Sequence, residues 1–181
     1  MKILIVSWHT NIDDNSVANK CILEKLEDTL NWAEFDYLCK EYPDYIFDIG
    51  KEQQKLLHAD VIVFQYPLFW YAMPSILQKW IEDVFQHWFS HWRTWDKLTG
   101  KKLVLSITAW APESAYEEDW LNIFDRFVNP AKYLCKLCHM EYSWAVVTYW
   151  VSYQQRKDHY DEIIQKANEH VNKLVNLLDN L

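Results

Sequence analysis

Apolar residues recur along this chain in two alternating rhythms. Short segments of strand character, rich in Val, Ile, Phe and Tyr, cover positions 2–7, 34–38, 61–65, 102–108 and 142–149. Helical spacing fills the intervals. Ile76, Leu77, Trp80, Ile81, Val84 and Phe85 set one apolar stripe over 75–85. Ile163, Ile164, Ala167, Val171, Leu174 and Leu178 set another within 153–178, where Ser152 and Gln155 fit a capping box at the start. Further helices are predicted over 16–30, with Asn15 or Ser16 as N-cap, over 51–58 and over 120–138. Strands that alternate with helices predict a parallel, doubly wound α/β sheet. At 181 residues the chain reads as one domain over 1–181, with no repeat or linker.

Composition narrows the function classes. The formal charge of −8 argues against a nucleic-acid surface, which needs a basic footprint. No apolar run approaches the ~18 residues of a membrane helix. The first seven residues read as a strand, not a signal peptide, and a cytoplasmic location is expected. The four cysteines are then expected to be reduced. Cys135-Lys-Leu-Cys138-His139 fits a haem-attachment pattern, but haem attachment needs export and zinc needs a second ligand pair, so the match reads as accidental.

Two loops carry candidate chemistry. The stretch 9–18 leaves the first strand and enters the first helix. Backbone N–H groups at a helix start make an anion site, and Ser16, Val17 and Ala18 are so placed, with His9 and Asn11 nearby. Taken alone, the same residues fit an ordinary capped loop. The stretch 65–74, Gln-Tyr-Pro-Leu-Phe-Trp-Tyr-Ala-Met-Pro, leaves the third strand, where an open parallel sheet binds its ligands. Tyr66, Phe69, Trp70 and Tyr71 offer flat surfaces to a flat ligand there; alone, the loop also fits a cap on the core.

The segment 59–85 closely resembles the flavin-dependent NAD(P)H:quinone oxidoreductases, the diaphorase-like branch of the flavodoxin fold. That family includes the modulator of drug activity B and the ancillary oxidoreductases of potassium efflux. Residues 1–16, Gly100 to Thr108 and Pro112 to Tyr116 agree in order and spacing, so the resemblance spans nearly the whole chain. It implies a flavodoxin-like sheet in the order 2-1-3-4-5. It also implies a noncovalent flavin, FAD or FMN, that takes hydride from NAD(P)H and passes two electrons to a quinone-like acceptor in a ping-pong cycle.

By the same resemblance Ser16, Val17 and Ala18 hold the flavin phosphate, with His9 and Asn11 beside it. The backbone of Pro67, Leu68, Phe69 and Trp70 lies along the ring, and Thr108, Ala109, Trp110 and Ala111 touch it from the loop after strand four. Tyr116 hydrogen-bonds the pyrimidine end, stabilising charge that arrives on the ring; alone it also fits a surface tyrosine. Some relatives pair this tyrosine with a histidine six positions later, where this chain has Asn122. Trp70, Tyr71, Phe89 and His91 form the substrate wall, the last two presented by the partner subunit of a homodimer. Two other readings remain: a regulatory flavoprotein subunit of a potassium-efflux system, and a flavin-free scaffold.

One count is unusual. The chain has 11 Trp and 2 Gly, whereas average usage gives roughly 13 Gly in this length. Trp70 and Trp80 fit the family pattern. Trp8, Trp32, Trp88, Trp92, Trp95, Trp110, Trp120, Trp144 and Trp150 fall in predicted turns or element ends, several where the family has glycine. Glycine suits such places because it tolerates φ > 0. The expectation is a positive φ, or no room for an indole, at several of Trp8, Trp88, Trp92, Trp110, Trp144 and Trp150, with folding or flavin binding compromised as a result.

Overall fold

A computed structural model describes residues 1–91, 97–117 and 123–181. Its elements run β1 (Ile3–Ser7), α1 (Ile12–Asn15), α2 (Val17–Thr29), β2 (Glu34–Tyr37), α3 (Leu38–Glu41), α4 (Ile49–His58), β3 (Val61–Pro67), α5 (Ser75–Val84) and α6 (His87–Ser90). They continue β4 (Lys102–Thr108), α7 (Ser114–Glu117), α8 (Ile123–Leu137), β5 (Glu141–Thr148), a 3₁₀ turn (Tyr153–Lys157) and α9 (Tyr160–Asp179). The strands form one parallel sheet in the order β2-β1-β3-β4-β5, as the resemblance implied.

Every residue of β1 and β3 is buried, as expected of strands covered on both faces. Their side chains alternate between two cores. Leu4, Val6, Ile62, Phe64, Leu103 and Leu105 pack with α4, α5 and α8. Ile3, Ile5, Val61, Val63 and Val104 pack with α2 and α9. No helix among the described residues is long and apolar enough to cross a membrane. Cys21, Cys39, Cys135 and Cys138 form no disulfide among the described residues.

Each core carries a polar insertion. His170 of α9 is fully buried between Ser106 Oγ (2.7 Å to Nε2) and Thr148 Oγ1 (2.8 Å to Nδ1), tying α9 to β4 and β5. Burial pushes its pKa down to about 3, so the ring is neutral at pH 7. On the other face Lys55 Nζ lies 2.9 Å from Asp36, 2.8 Å from Glu52 and 3.4 Å from Glu41. Tyr42 and Trp80 also donate to the Glu52 carboxylate. Burial first, and then the Glu52 charge, raise Asp36 to about 8, so this acid pair keeps one proton at neutral pH.

Element ends differ from the sequence pattern in three instructive places. The third strand runs through Pro67 instead of stopping at Gln65, because Pro67 pairs with Thr108 at the end of β4 where no further N–H is needed. The Ser152–Gln155 capping box forms, but it caps a 3₁₀ turn, and α9 begins afresh at Tyr160. The short helix α1 is absent from the pattern because four residues carry too little periodicity.

The expectation about the tryptophans is largely overturned. Of the five named positions among the described residues, only Trp150 has a positive φ, 61°. Trp88, Trp110 and Trp144 have ordinary φ and turn their indoles outward, 64%, 60% and 63% exposed, so space is no constraint. Trp8 is buried and meets Phe69 edge-on at 5.5 Å, though its Nε1 has no hydrogen-bond partner. Trp92, like Trp95 and Trp120, lies outside the described residues.

Candidate functional site

The carboxyl ends of β1, β3 and β4 open into one cleft of ≈ 610 Å³. One end is the start of α2. Ser16 is its N-cap, with extended φ and ψ of −141° and 115°, and its Oγ accepts from the backbone N–H of Asn19. The N–H groups of Val17 and Ala18 precede any intrahelical acceptor and face outward with the positive end of the helix dipole. His9, Thr10 and Asn15 line the same end. Burial lowers the His9 pKa, which favours a neutral ring. Asn11 faces a neighbouring hollow, where it caps α1 through Asp14.

The other end is built from the loops after β3 and β4. Pro67, Leu68 and Phe69 form one side, Thr108, Ala109 and Trp110 the other. These loops hold each other: the Leu68 N–H donates to the Thr108 carbonyl at 2.8 Å, and the Ala109 N–H donates to the Thr148 carbonyl at 2.8 Å. Phe69 and Ala72 exchange both backbone bonds, at 3.3 and 3.0 Å, closing a two-residue hairpin. Its central residues, Trp70 and Tyr71, have φ of 49° and 62°, the positive values of a type I′ turn. Neither residue type is favoured there. The Leu68, Phe69 and Ala109 amides are thus committed to the fold, so donors to a ring must come from other groups of these loops.

Trp70 stands at the hairpin tip, 92% exposed, and Tyr71 meets Tyr116 edge-on at 6.1 Å. Tyr116 is buried, and among the described residues no group meets hydrogen-bond geometry at its hydroxyl. Burial raises its pKa, while the nearby Ala111 amide partly lowers it, so the phenol stays protonated at pH 7. A buried donor without an acceptor fits a ligand acceptor, although Trp70, Tyr71 and Tyr116 do not line the cleft itself.

Ten of the residues predicted from the sequence therefore share the cleft: His9, Ser16, Val17, Ala18, Pro67, Leu68, Phe69, Thr108, Ala109 and Trp110. Ala111 is buried behind it. Phe89 and His91 do not reach it: Phe89 is buried, and His91 bonds Ser90 Oγ at 2.6 Å. Asn122 lies outside the described residues. The sequence reading missed Asn19 and the segment Val151 to Gln154, which lines the cleft opposite α2. That segment follows strand five, where the sequence pattern carries only a helix start, and in that pattern Asn19 is one helical position among others. The Cys135–Cys138 pair is buried, with Cys135 pushed up to about 12 by burial, which disfavours the thiolate that metals and redox chemistry need.

In doubly wound sheets, nucleotide-type ligands bind at the carboxyl edge, where this chain has a helix start and aromatic loops. The family model described as flavodoxin-like fold matches residues 1–174, and the chain belongs to that family. The glutathione-regulated potassium-efflux system ancillary protein KefG of Enterobacter sp. (strain 638) is 35% identical over 156 residues, 85% of this chain and 84% of its own. The uncharacterized NAD(P)H oxidoreductase YrkL of Bacillus subtilis (strain 168) is 40% identical over 117 residues, 65% of this chain and 66% of its own. The crystal structure of general stress protein 14 of Treponema denticola, in complex with FMN, superposes with a TM-score of 0.83. It covers 97% of this chain and 98% of its own at 20% identity, a likeness of fold.

Proposed function

We propose that this protein is a flavin-dependent oxidoreductase that passes two electrons from NAD(P)H to a quinone-like acceptor. The observation that carries the reading is the cleft: neutral donors at the start of α2 at one end, and the loops after β3 and β4 at the other. The similarity to YrkL and to an FMN-binding relative supports it. The flavin, FMN or FAD, would supply the hydride chemistry, and the protein supplies placement.

Ser16, Val17 and Ala18 hold the phosphate. Pro67 to Phe69 and Thr108 to Ala111 fix the ring edge and exclude water from one face. Tyr116 keeps a proton at its hydroxyl, where it stabilises charge arriving at the pyrimidine end. Trp70 and Tyr71 offer an aromatic face to the nicotinamide and the acceptor. A two-fold homodimer completes the pocket with the partner subunit's Phe89–His91 segment, and cysteines outside disulfides suit a cytoplasmic location.

The test is the visible spectrum of the purified protein, before and after FMN or FAD is added, followed by NAD(P)H oxidation with a quinone. A protein that stays colourless with excess flavin refutes the reading. The KefG relatives favour a second reading, in which docking on a potassium-efflux system matters more than turnover. Co-purification with such a transporter, at negligible quinone turnover, would favour it.

A further inference from the structure

Asn19 is buried where three segments meet, and its hydrogen-bonding capacity is nearly all committed. Its backbone N–H and its Nδ2 both donate to Ser16 Oγ, at 3.1 and 2.9 Å. Its Oδ1 accepts from Gln65 Nε2 at 2.9 Å and from Thr108 Oγ1 at 3.0 Å. Gln65 lies on β3, between Ser7 of β1 and Ser106 of β4 in the sheet register, and Thr108 ends β4. One side chain thus ties the start of α2 to the two strands whose loops form the other end of the cleft. In the orientation observed, Nδ2 faces Ser16, and Oδ1 faces Gln65 and Thr108.

The consequence falls on Ser16. A serine hydroxyl accepts two hydrogen bonds and donates one. Asn19 fills both acceptor positions of Ser16 Oγ, so the O–H is the capacity left, and Ser16 lines the cleft. None of the described residues lining the cleft is lysine or arginine. We propose that Asn19 is a positioning residue that holds the Ser16 hydroxyl as a donor into the cleft, where a phosphate ester is held by neutral donors. The proposal rests on the flavin reading and deepens it at the phosphate end alone.

Riboflavin and FMN share a ring and differ in the phosphate, so their affinity ratio reads this end of the cleft and not the ring. Asn19→Asp keeps an oxygen for Gln65 and Thr108 but turns the donor toward Ser16 into an acceptor. The Ser16 proton is then drawn to residue 19. FMN affinity, by fluorescence quenching, should fall about 10- to 100-fold, the worth of a hydrogen bond to a charged group. Riboflavin affinity should be unchanged.

The new carboxylate also repels a phosphate directly, and a Ser16→Ala background separates the two effects. If Asn19 acts through the Ser16 hydroxyl, Asn19→Asp should lower the FMN-to-riboflavin ratio much less in that background. If Asn19→Asp does not fold, as judged by circular dichroism, Asn19→Ala replaces it and should lower the same ratio severalfold. Equal effects in both backgrounds, or equal weakening of the two flavins, overturn the proposal while the flavin reading stands. Wild-type protein that binds neither flavin overturns both.

Discussion

Trp70 is the place where conformation and side chain most plainly disagree. It has φ 49° at the tip of a two-residue hairpin, and its side chain is 92% exposed. A left-handed conformation costs a residue with a Cβ about 1–2 kcal/mol. The exposed indole buries almost no area that could offset this. Replacement by glycine removes the penalty and adds about 0.5–1 kcal/mol of unfolded-state entropy. Trp70→Gly should therefore stabilise by about 0.5–1 kcal/mol, a rise of about 2–4 °C in Tm per kcal/mol at this size.

Trp70→Ala isolates the cause, since alanine loses the indole but keeps the strain. Its stability should match wild type, and glycine should exceed it. Trp144→Gly is the opposite case. Trp144 is equally outward-facing but pairs with Val104 inside β5 at an ordinary φ, so glycine there should destabilise by about 0.5–1 kcal/mol or more. Denaturant melts of the three variants decide the matter. A Trp70→Gly protein no more stable than Trp70→Ala would refute the strain argument. If Trp70 offers its face to the acceptor as proposed, both Trp70 variants should also bind acceptor more weakly in steady-state assays.

Three further outcomes follow from the buried groups. Tyr116→Phe should slow flavin reduction by NAD(P)H, up to about 10²–10³-fold where the donor is fully used, and an unchanged stopped-flow rate would remove Tyr116 from the site. His170 has a folded pKa of about 3 against 6.5, so it binds a proton more readily unfolded. Its contribution is intact above pH 6.5 and falls by about 1.4 kcal/mol per unit as pH drops toward 3; His170→Gln should flatten that acid limb in pH-dependent melts. Asp36 is the reverse, its pKa raised from 3.8 to about 8, so its contribution is present at low pH and is lost as pH rises across that window. Asp36→Asn should lose less stability than wild type between pH 7 and 9, and an unchanged alkaline limb would show that Asp36 is already ionised at neutral pH.

The strands β1, β3 and β4 were legible because burial on both faces makes them near-continuous apolar runs: the pattern of β4 marks Lys102 to Thr108, the bounds observed. The loops were legible only through kinship. Nothing in Pro67-Leu-Phe-Trp-Tyr announces a hairpin, since two aromatic residues stand where turn chemistry asks for Asn-Gly. The same gap misled the reading of the tryptophans. A turn position in the sequence predicts exposure well, as at Trp88 and Trp110, but φ is set by how the flanking segments close. Trp150 takes φ 61° where its own N–H and that of Val151 must both reach a neighbouring loop, at the Ala111 and Ala109 carbonyls, 3.0 and 3.2 Å away. Asn19 escaped notice for a related reason. Its role comes from Gln65 and Thr108, 46 and 89 positions away, brought together only by the sheet order β1-β3-β4. The phosphate end of the site is thus set by the fold's register as much as by the loop that carries it. A substitution at either strand end should therefore be felt by a ligand it never touches.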